Sequence, residues 1–200
     1  MASSLTVIGL GYVGLPLAQE ACKSGLEVVG LDIDQSVVSG LAAGVSHIDD
    51  IDSSDLTEMV GSGFVATTEP TCIRGSDVIV ICVPTPLDAD GSPDLSVVKA
   101  AARNISGHLQ PGSLVVLEST TYPGTTEDTV RPLLEEGSGL TAGVDFNLAY
   151  SPERIDPGNR EWGLRNTPKI VGGLTPVCTK RAVQFYGQIV DTVVPTVGLR

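Results

Sequence analysis

The chain has 200 residues, 42% of them hydrophobic, a length and composition typical of a globular protein with one domain or slightly more. Its formal net charge of −12 argues against free nucleic acid and anionic membrane surfaces as partners. No apolar run reaches the ~18 residues that a membrane-spanning helix needs. Residues 1–4 carry no basic side chain ahead of the first apolar run, so we expect no signal peptide and a cytoplasmic location.

The first predicted element is a glycine-rich turn between a short apolar strand and an apolar helical stretch. Gly9, Gly11 and Gly14 have the spacing G-x-G-x-x-G. This spacing allows a sharp turn, a close approach of the backbone to a pyrophosphate and tight packing of the helix on the strand. Because Pro16 is tolerable only among the unpaired donors at a helix start, we expect the helix to begin near residues 12–13.

A carboxylate at the end of the second predicted strand strengthens this interpretation. Strand 27–32 ends in Asp32, 18 residues after Gly14 (32 − 14). A separation of ~20 residues is typical of an acid that accepts hydrogen bonds from an adenosine ribose. Asp32 would repel a 2′-phosphate, and no arginine follows it within 33–37, so the sequence favours NAD over NADP. An unrelated glycine turn in another α/β protein is the alternative.

The remaining segments alternate between strand and helix patterns. The further predicted strands are 64–67, 77–83, 113–117, 146–150, 169–172 and 190–194, and the further helices are 34–41, 94–109, 125–136 and 175–186. The acidic stretch 47–55 is predicted to be a surface excursion, with at most one helical turn over 56–60. This alternation predicts an α/β fold with a doubly wound, mostly parallel, Rossmann-like sheet. We place strand 77–83 at its centre, because it is apolar on both faces.

The four cysteines are scattered and form no Cys-x-x-Cys pair. Cys22 and Cys82 lie in apolar segments and are predicted to be small core residues. The sequence therefore suggests neither disulfides nor a metal site.

In a doubly wound sheet, ligands bind beyond the carboxyl ends of the strands, so the residues after each strand are informative. Strand 77–83 is followed by Pro84-Thr85-Pro86, a rigid turn in which the Thr85 hydroxyl can face a ligand. Strand 113–117 is followed by 118–126, a carboxylate and a dense set of hydroxyls that suit a helix cap or a polar ligand. Strand 146–150 precedes 151–158, in which Glu153 is either a solvated loop residue or a general base.

Four stretches together resemble the UDP-glucose/GDP-mannose dehydrogenase family over nearly the whole chain. They are Val-Ile-Gly-Leu-Gly-Tyr-Val-Gly-Leu-Pro (7–16), Ile-Cys-Val-Pro-Thr-Pro-Leu (81–87), Leu-Glu-Ser-Thr-Thr-Tyr-Pro-Gly-Thr-Thr (117–126) and Ser-Pro-Glu-Arg-Ile-Asp-Pro-Gly-Asn (151–159). The last two are most similar to the branch that acts on UDP-N-acetylglucosamine or UDP-N-acetylmannosamine. The resemblance implies oxidation of the sugar C6 alcohol to an acid with two NAD, through a thioester on a cysteine, for polysaccharide biosynthesis.

The resemblance also implies roles for individual residues. Thr120 would position water and Glu153 would act in thioester hydrolysis. Val83, Pro84 and Thr85 would lie on the adenosine-ribose side, and Ser119 and Thr120 near the nicotinamide. The residues assigned to NAD are Gly9, Gly11, Tyr12, Val13, Gly14, Asp32, Val83, Pro84, Thr85, Ser119 and Thr120.

The departure from the family is the missing second half of the active site. The family's nucleophilic cysteine lies in a later glycine-rich segment, and its oxyanion-stabilising lysine and asparagine lie on a long connecting helix that also builds a homodimer. Cys22, Cys72, Cys82 and Cys178 stand in other contexts. We therefore expect residues 1–200 to be an NAD-binding domain that binds NAD without oxidising a sugar nucleotide.

Two other functions fit part of the pattern. A β-hydroxyacid dehydrogenase has a similar glycine loop, although the stretches 118–126 and 151–159 argue against it. A non-catalytic dinucleotide-binding module is also consistent with half an active site. A long helix and a Gly-x-Gly-Gly-x-Cys segment encoded after residue 200 would favour the enzyme.

Overall fold

A computed structural model describes residues 4–88, 91–154 and 161–199. Within these residues eight strands form one sheet, in the order β3-β2-β1-β4-β5-β6-β7-β8. The strands are β1 (Ser4–Ile8), β2 (Glu27–Leu31), β3 (Val65–Thr67), β4 (Val78–Ile81), β5 (Leu114–Leu117), β6 (Asn147–Tyr150), β7 (Lys169–Gly173) and β8 (Val193–Pro195). The helices are α1 (Gly14–Lys23), α2 (Gln35–Ala42), α3 (Ser53–Gly61), α4 (Ser96–Ser106), α5 (Arg131–Ser138) and α6 (Pro176–Tyr186), with short 3₁₀ and π-helical turns at Pro70–Ile73 and Thr125–Val130.

The sheet is doubly wound and mostly parallel, as the alternation of elements predicts. Strands β1 to β6 are all parallel to one another, and β7 pairs with β6 in the antiparallel sense. The order reverses between β1 and β4, since the chain goes from β1 out to β3 and then returns to the other side of β1. Such a reversal opens a crevice at the carboxyl ends of the two strands.

Two apolar layers cover the two faces of the sheet. Alternate strand residues point to opposite sides, so that Val80 and Val116 join one cluster and Ile81 and Leu117 join the other. The first cluster packs under α1, α3 and α6, and the second under α4 and α5. The strands β4 and β5 are buried along their whole length, which confirms the prediction of a central strand in 77–83.

Two regions of the chain differ from the predicted elements. The stretch 47–55 is not only a surface excursion, because Ile48 and Ile51 are buried and α3 begins at Ser53. The side chains of Asp52 and Asp55 cap that helix reciprocally, so part of the acidic run is a helix cap. The strand predicted at 190–194 begins only at Val193, as β8. The N–H of Val190 still donates to the carbonyl of Tyr186 at 2.8 Å, in a turn that follows α6.

Pro16 and Pro132, which lie inside two of the predicted helical stretches, are both close to a helix start. Pro16 is the third residue of α1, where its missing N–H is one of the four donors that have no partner within the helix. Pro132 is the second residue of α5, and a π-helical turn, Thr125–Val130, leads into it. The predicted helix 125–136 is therefore two segments, and its proline lies at the start of the second.

Candidate functional site

A cavity of about 720 Å³ opens at the carboxyl ends of β1, β2, β4 and β5. Its wall includes every predicted site residue except Gly14. These residues are Gly9, Gly11, Tyr12, Val13, Asp32, Val83, Pro84, Thr85, Ser119, Thr120 and Glu153. The structure thus brings residues from four strand ends and the loop after β6 to one place.

The glycine loop has the close packing that its spacing predicts. A Cβ on Gly14 would lie 1.8 Å from the carbonyl oxygen of Gly9, so no side chain fits there. Gly9 has a φ of +89°, in the region that favours glycine. A Cβ on Gly11 would meet no atom within 4 Å, and it would project into open space. Gly14 therefore packs beneath the loop, while Gly11 leaves the space above it free for a ligand.

The carboxylate of Asp32 is held in one orientation by the backbone. Its Oδ2 accepts a hydrogen bond from the N–H of Leu10 at 2.8 Å, and its Oδ1 accepts one from the N–H of Asp34 at 3.0 Å. The first of these bonds ties the end of β2 to the glycine loop. Each oxygen keeps a further lone pair, so the half-buried carboxylate can still accept two ribose hydroxyls.

Two hydrogen bonds join the loop after β4 to the loop after β5. The hydroxyl of Ser119 donates to the carbonyl of Val83 at 2.8 Å, and the hydroxyl of Thr85 donates to the carbonyl of Thr120 at 2.5 Å. The Thr85 proton is thus used within the protein, and the lone pairs of its oxygen are what it can offer to a ligand. The two loops form one connected wall of the cavity.

The predicted general base forms part of the cavity wall. Glu153 is half-buried, and its Oε1 accepts a hydrogen bond from the N–H of Arg154 at 2.7 Å. The rest of that motif, 155–159, lies outside the described residues. The structure thus brings Glu153 to the same cavity as Thr120, which the catalytic roles assigned to both residues require.

A buried polar cluster beside the cavity was not predicted. Glu118 is fully buried, and its carboxylate accepts hydrogen bonds from the ammonium of Lys169 and, at 2.5 Å, from the hydroxyl of Tyr186. Lys169 lies at the carboxyl edge of the sheet, because β7 is antiparallel to β6 and so begins there. A lysine that opens an otherwise apolar strand is the signal in the sequence that points to such a pair.

Burial governs the electrostatics of this cluster. Desolvation raises the pKa of Glu118, and the Lys169 charge opposes that shift. Burial also raises the pKa of Tyr186 and Cys82 well above their ordinary values, and the nearby Glu118 charge adds to both shifts. At neutral pH the tyrosine and the thiol are therefore neutral groups that surround one ion pair.

The hydroxyl of Ser151 is buried and has no hydrogen-bond partner among the described residues. Since a desolvated, unpaired hydroxyl is unfavourable, we expect Ser151→Ala to stabilise the ligand-free protein by about 1 kcal/mol. Urea unfolding measures this change. The matched control is Ser113→Ala, which removes a buried hydroxyl that donates to the carbonyl of Ser76 and should cost about 1 kcal/mol. If Ser151→Ala and Ser113→Ala lower the free energy of unfolding equally, the Ser151 hydroxyl has a hydrogen-bond partner, such as a buried water.

None of the four cysteines has the environment of an activated nucleophile. All four are free thiols, and Cys22, Cys82 and Cys178 are buried, which confirms that Cys22 and Cys82 are core residues. Desolvation raises the pKa of Cys22, Cys72 and Cys82, so the thiolate is disfavoured. Over the described ranges of the chain, no group of His, Cys, Asp and Glu is placed to hold a metal ion, and no helix has the length and apolarity to cross a membrane.

Comparison with known proteins identifies the family. Residues 3–190 match the NAD binding domain of the UDP-glucose/GDP-mannose dehydrogenase family. The chain belongs to this family. It is 38% identical over 186 residues to the UDP-N-acetyl-D-glucosamine 6-dehydrogenase of Pseudomonas aeruginosa, and 41% identical over 189 residues to the UDP-N-acetyl-D-mannosamine dehydrogenase of Pyrococcus horikoshii. Both alignments cover 93% of this chain but only 43% and 44% of the relatives, so the chain spans less than half of their length.

A solved structure of a family member has the same fold. The UDP-D-ManNAc dehydrogenase from Pyrococcus horikoshii superposes with a TM-score of 0.91 at 38% identity, over 98% of this chain and 47% of that chain. Membership confirms the Rossmann-like fold, NAD as the cofactor and a place among the nucleotide-sugar dehydrogenases. It also decides against the β-hydroxyacid dehydrogenases as the alternative enzyme class.

Proposed function

We propose that this chain is the NAD-binding half of a dehydrogenase that oxidises the C6 alcohol of a UDP-N-acetylhexosamine to the uronic acid, with two NAD per turnover. The observation that carries the proposal is the single cavity that collects the glycine loop, Asp32, Thr120 and Glu153. The substrate class follows from the relatives, whose names specify UDP-N-acetyl-D-glucosamine and UDP-N-acetyl-D-mannosamine. We place this reaction in the supply of uronic acids for polysaccharide biosynthesis.

The residues of the cavity fit NAD in shape and in chemistry. The space above Gly11 and the start of α1, which no side chain caps, suit a pyrophosphate. Asp32 would bind the adenosine ribose, flanked by Val83, Pro84 and Thr85, while Ser119 and Thr120 would lie beside the nicotinamide. When bound, NAD supplies the hydride acceptor.

Two residues of the chain would act on the substrate itself. Thr120 is exposed at the cavity wall and would orient a water molecule. Glu153, in the wall of the same cavity, would remove a proton from that water as it attacks a thioester. The thiol that carries the acyl group would come from a second half, because burial keeps the thiols of Cys22, Cys72 and Cys82 protonated.

Calorimetric titration of the chain with NAD, NADP and UDP-N-acetylglucosamine tests this proposal. We expect NAD to bind, NADP to bind more weakly because of Asp32, and the sugar nucleotide to bind weakly or not at all. The chain should form no NADH from NAD and UDP-N-acetylglucosamine. NADH formation by the pure chain would contradict its inactivity, and a failure to bind NAD would contradict the proposal as a whole. A long helix and a Gly-x-Gly-Gly-x-Cys segment encoded downstream would favour the enzyme over a non-catalytic module.

Removal of the Asp32 carboxylate should weaken NAD binding without a matching loss for NADP. In Asp32→Ala we expect about a tenfold loss of NAD affinity, which corresponds to two ribose hydrogen bonds. NADP should lose less, because the repulsion of its 2′-phosphate disappears with the charge. Fluorescence titration with both nucleotides measures the two affinities. Asp49→Ala removes an equal charge from an exposed position outside the cavity and should change neither. Unchanged NAD affinity in Asp32→Ala would disprove the ribose assignment.

A further inference from the structure

One face of α4 lines the cavity over two helical turns. The cavity residues on this helix are Val97, Ala100, Ala101 and Asn104, whose spacing is that of a single helix face. Asp32 and Ile33, at the end of β2, line the same cavity. The helix face and the end of β2 are therefore two sides of one space, next to the carboxylate that the proposed function assigns to the adenosine ribose.

The lining of this space is mostly apolar. Ile33 directly follows Asp32 and is 88% exposed, and the two alanines of α4 leave room beside it. We call this space the α4 slot, and its apolar lining consists of Ile33, Val37, Pro70, Val97, Ala100 and Ala101. Adenine is bonded directly to its ribose, so a ribose held by Asp32 brings the base within one ring's length of that carboxylate. The α4 slot suits such a flat, largely apolar ring.

Asn104 carries a polar group that suits the edge of this base. It is exposed, lines the cavity, and makes no side-chain hydrogen bond with the part of the chain that the structure describes. Its carboxamide has a donor and an acceptor side by side, which can pair with N7 and the 6-amino group of adenine at once. The hydroxyl of Thr68, in the same cavity, can contact only one atom of that edge.

We propose that Asn104 recognises the 6-amino group of the adenine ring of NAD. The same edge of hypoxanthine has two acceptors, O6 and N7, so the carbonyl of the carboxamide would find no donor there. Asn104 thus distinguishes an adenine nucleotide from its deaminated counterpart. This inference rests on the proposed function, which places the adenosine ribose at Asp32.

The test compares the dissociation constants of the chain for NAD and for nicotinamide hypoxanthine dinucleotide, measured by calorimetry. The unchanged chain should bind NAD about tenfold more tightly. Asn104→Leu keeps the approximate size of the side chain and removes both hydrogen-bonding groups at an exposed helix position, so the variant should fold. Its affinity for NAD should fall about tenfold, while its affinity for the hypoxanthine nucleotide changes little and the two constants become nearly equal.

Gln110→Met is the matched control. It removes an exposed carboxamide of similar chemistry from a position outside the cavity. Both dissociation constants should stay within about twofold of those of the unchanged chain.

The outcomes separate this inference from the proposed function. If the unchanged chain binds the two nucleotides equally, the 6-amino group is not recognised. If Asn104→Leu keeps the preference for NAD, or weakens both nucleotides in parallel, Asn104 does not recognise the base, and the inference is wrong although NAD still binds. If the unchanged chain binds neither nucleotide, the proposed function itself fails.

Discussion

Gly14→Ala should unfold the glycine loop or force it apart. The new Cβ would stand 1.8 Å from the carbonyl oxygen of Gly9 and 3.0 Å from a methyl group of Val7. Because the nearest of these atoms belongs to the backbone of the same loop, it cannot move away without distorting the loop. We expect a cost of about 3 kcal/mol or more in the free energy of unfolding, at the upper end for overpacked sites. Chemical denaturation followed by circular dichroism measures it.

Gly11→Ala is the matched control, because its Cβ meets no atom within 4 Å. Its free energy of unfolding should stay within about 0.5 kcal/mol of the original. Its NAD affinity should nevertheless fall by about tenfold or more, since the methyl group occupies the space proposed for the pyrophosphate. If Gly11→Ala binds NAD as tightly as the original chain, the phosphates do not lie above Gly11. If Gly14→Ala is as stable as Gly11→Ala, the loop is not packed as described.

Lys169→Met should destabilise the protein by about 3–5 kcal/mol, the usual cost of leaving one partner of a buried ion pair alone. The side chains of Lys169 and Glu118 are only 4% and 0% exposed. Without the ammonium, the carboxyl group of Glu118 takes up a proton on folding, because burial raises its pKa. The stability deficit should therefore be largest at neutral pH and shrink as the pH falls toward the ordinary glutamate pKa of about 4.3. Urea unfolding between pH 4.5 and about 7.5 measures this trend.

Two variants control for the loss of the lysine. Lys180→Met changes an exposed lysine of α6, outside the cluster, and should cost less than about 0.5 kcal/mol. Glu118→Gln/Lys169→Met removes both charges and should recover much of the stability that Lys169→Met loses. Equal stabilities of Lys169→Met and Lys180→Met would show that no buried ion pair exists in solution.

The sequence predicts the half of the site that depends on local patterns. Each of these patterns can be recognised within a short stretch of chain: three glycines at fixed spacing, an acid after the second strand, and hydroxyls after the fifth strand. The doubly wound sheet brings all of these strand ends to one edge, so their convergence was predictable as well. Asp34 caps α2 through the N–H of Ser36, as its position before the helix predicts.

The parts that were not predicted depend on contacts between distant segments. The pairing of Glu118 with Lys169 requires the antiparallel direction of β7, which no local pattern specifies. Helix α3 is longer than the single turn predicted over 56–60, because Asp52 of the acidic stretch caps it. The strand predicted at 190–194 begins later because α6 continues in hydrogen-bonded turns to Val190. In each case tertiary packing or capping outweighed the composition of the segment.

The position of β1 in the sheet has a consequence for the order in which the molecule folds. Of the eight described strands β1 is synthesised before the others, yet it lies between β2 and β4. The hydroxyls of Thr6 and Ser76, 70 residues apart in sequence, meet at 2.7 Å. Pairing of β1 with β4 closes a long loop of chain. The chain loses conformational entropy in closing this loop before the strand contacts form, so the pairing is slow. The glycine loop leaves the ribosome early, but it can reach its final shape only after β4 docks, since the N–H of Cys82 donates to the carbonyl of Ile8. A nascent chain shorter than residue 82 should therefore have no nucleotide affinity.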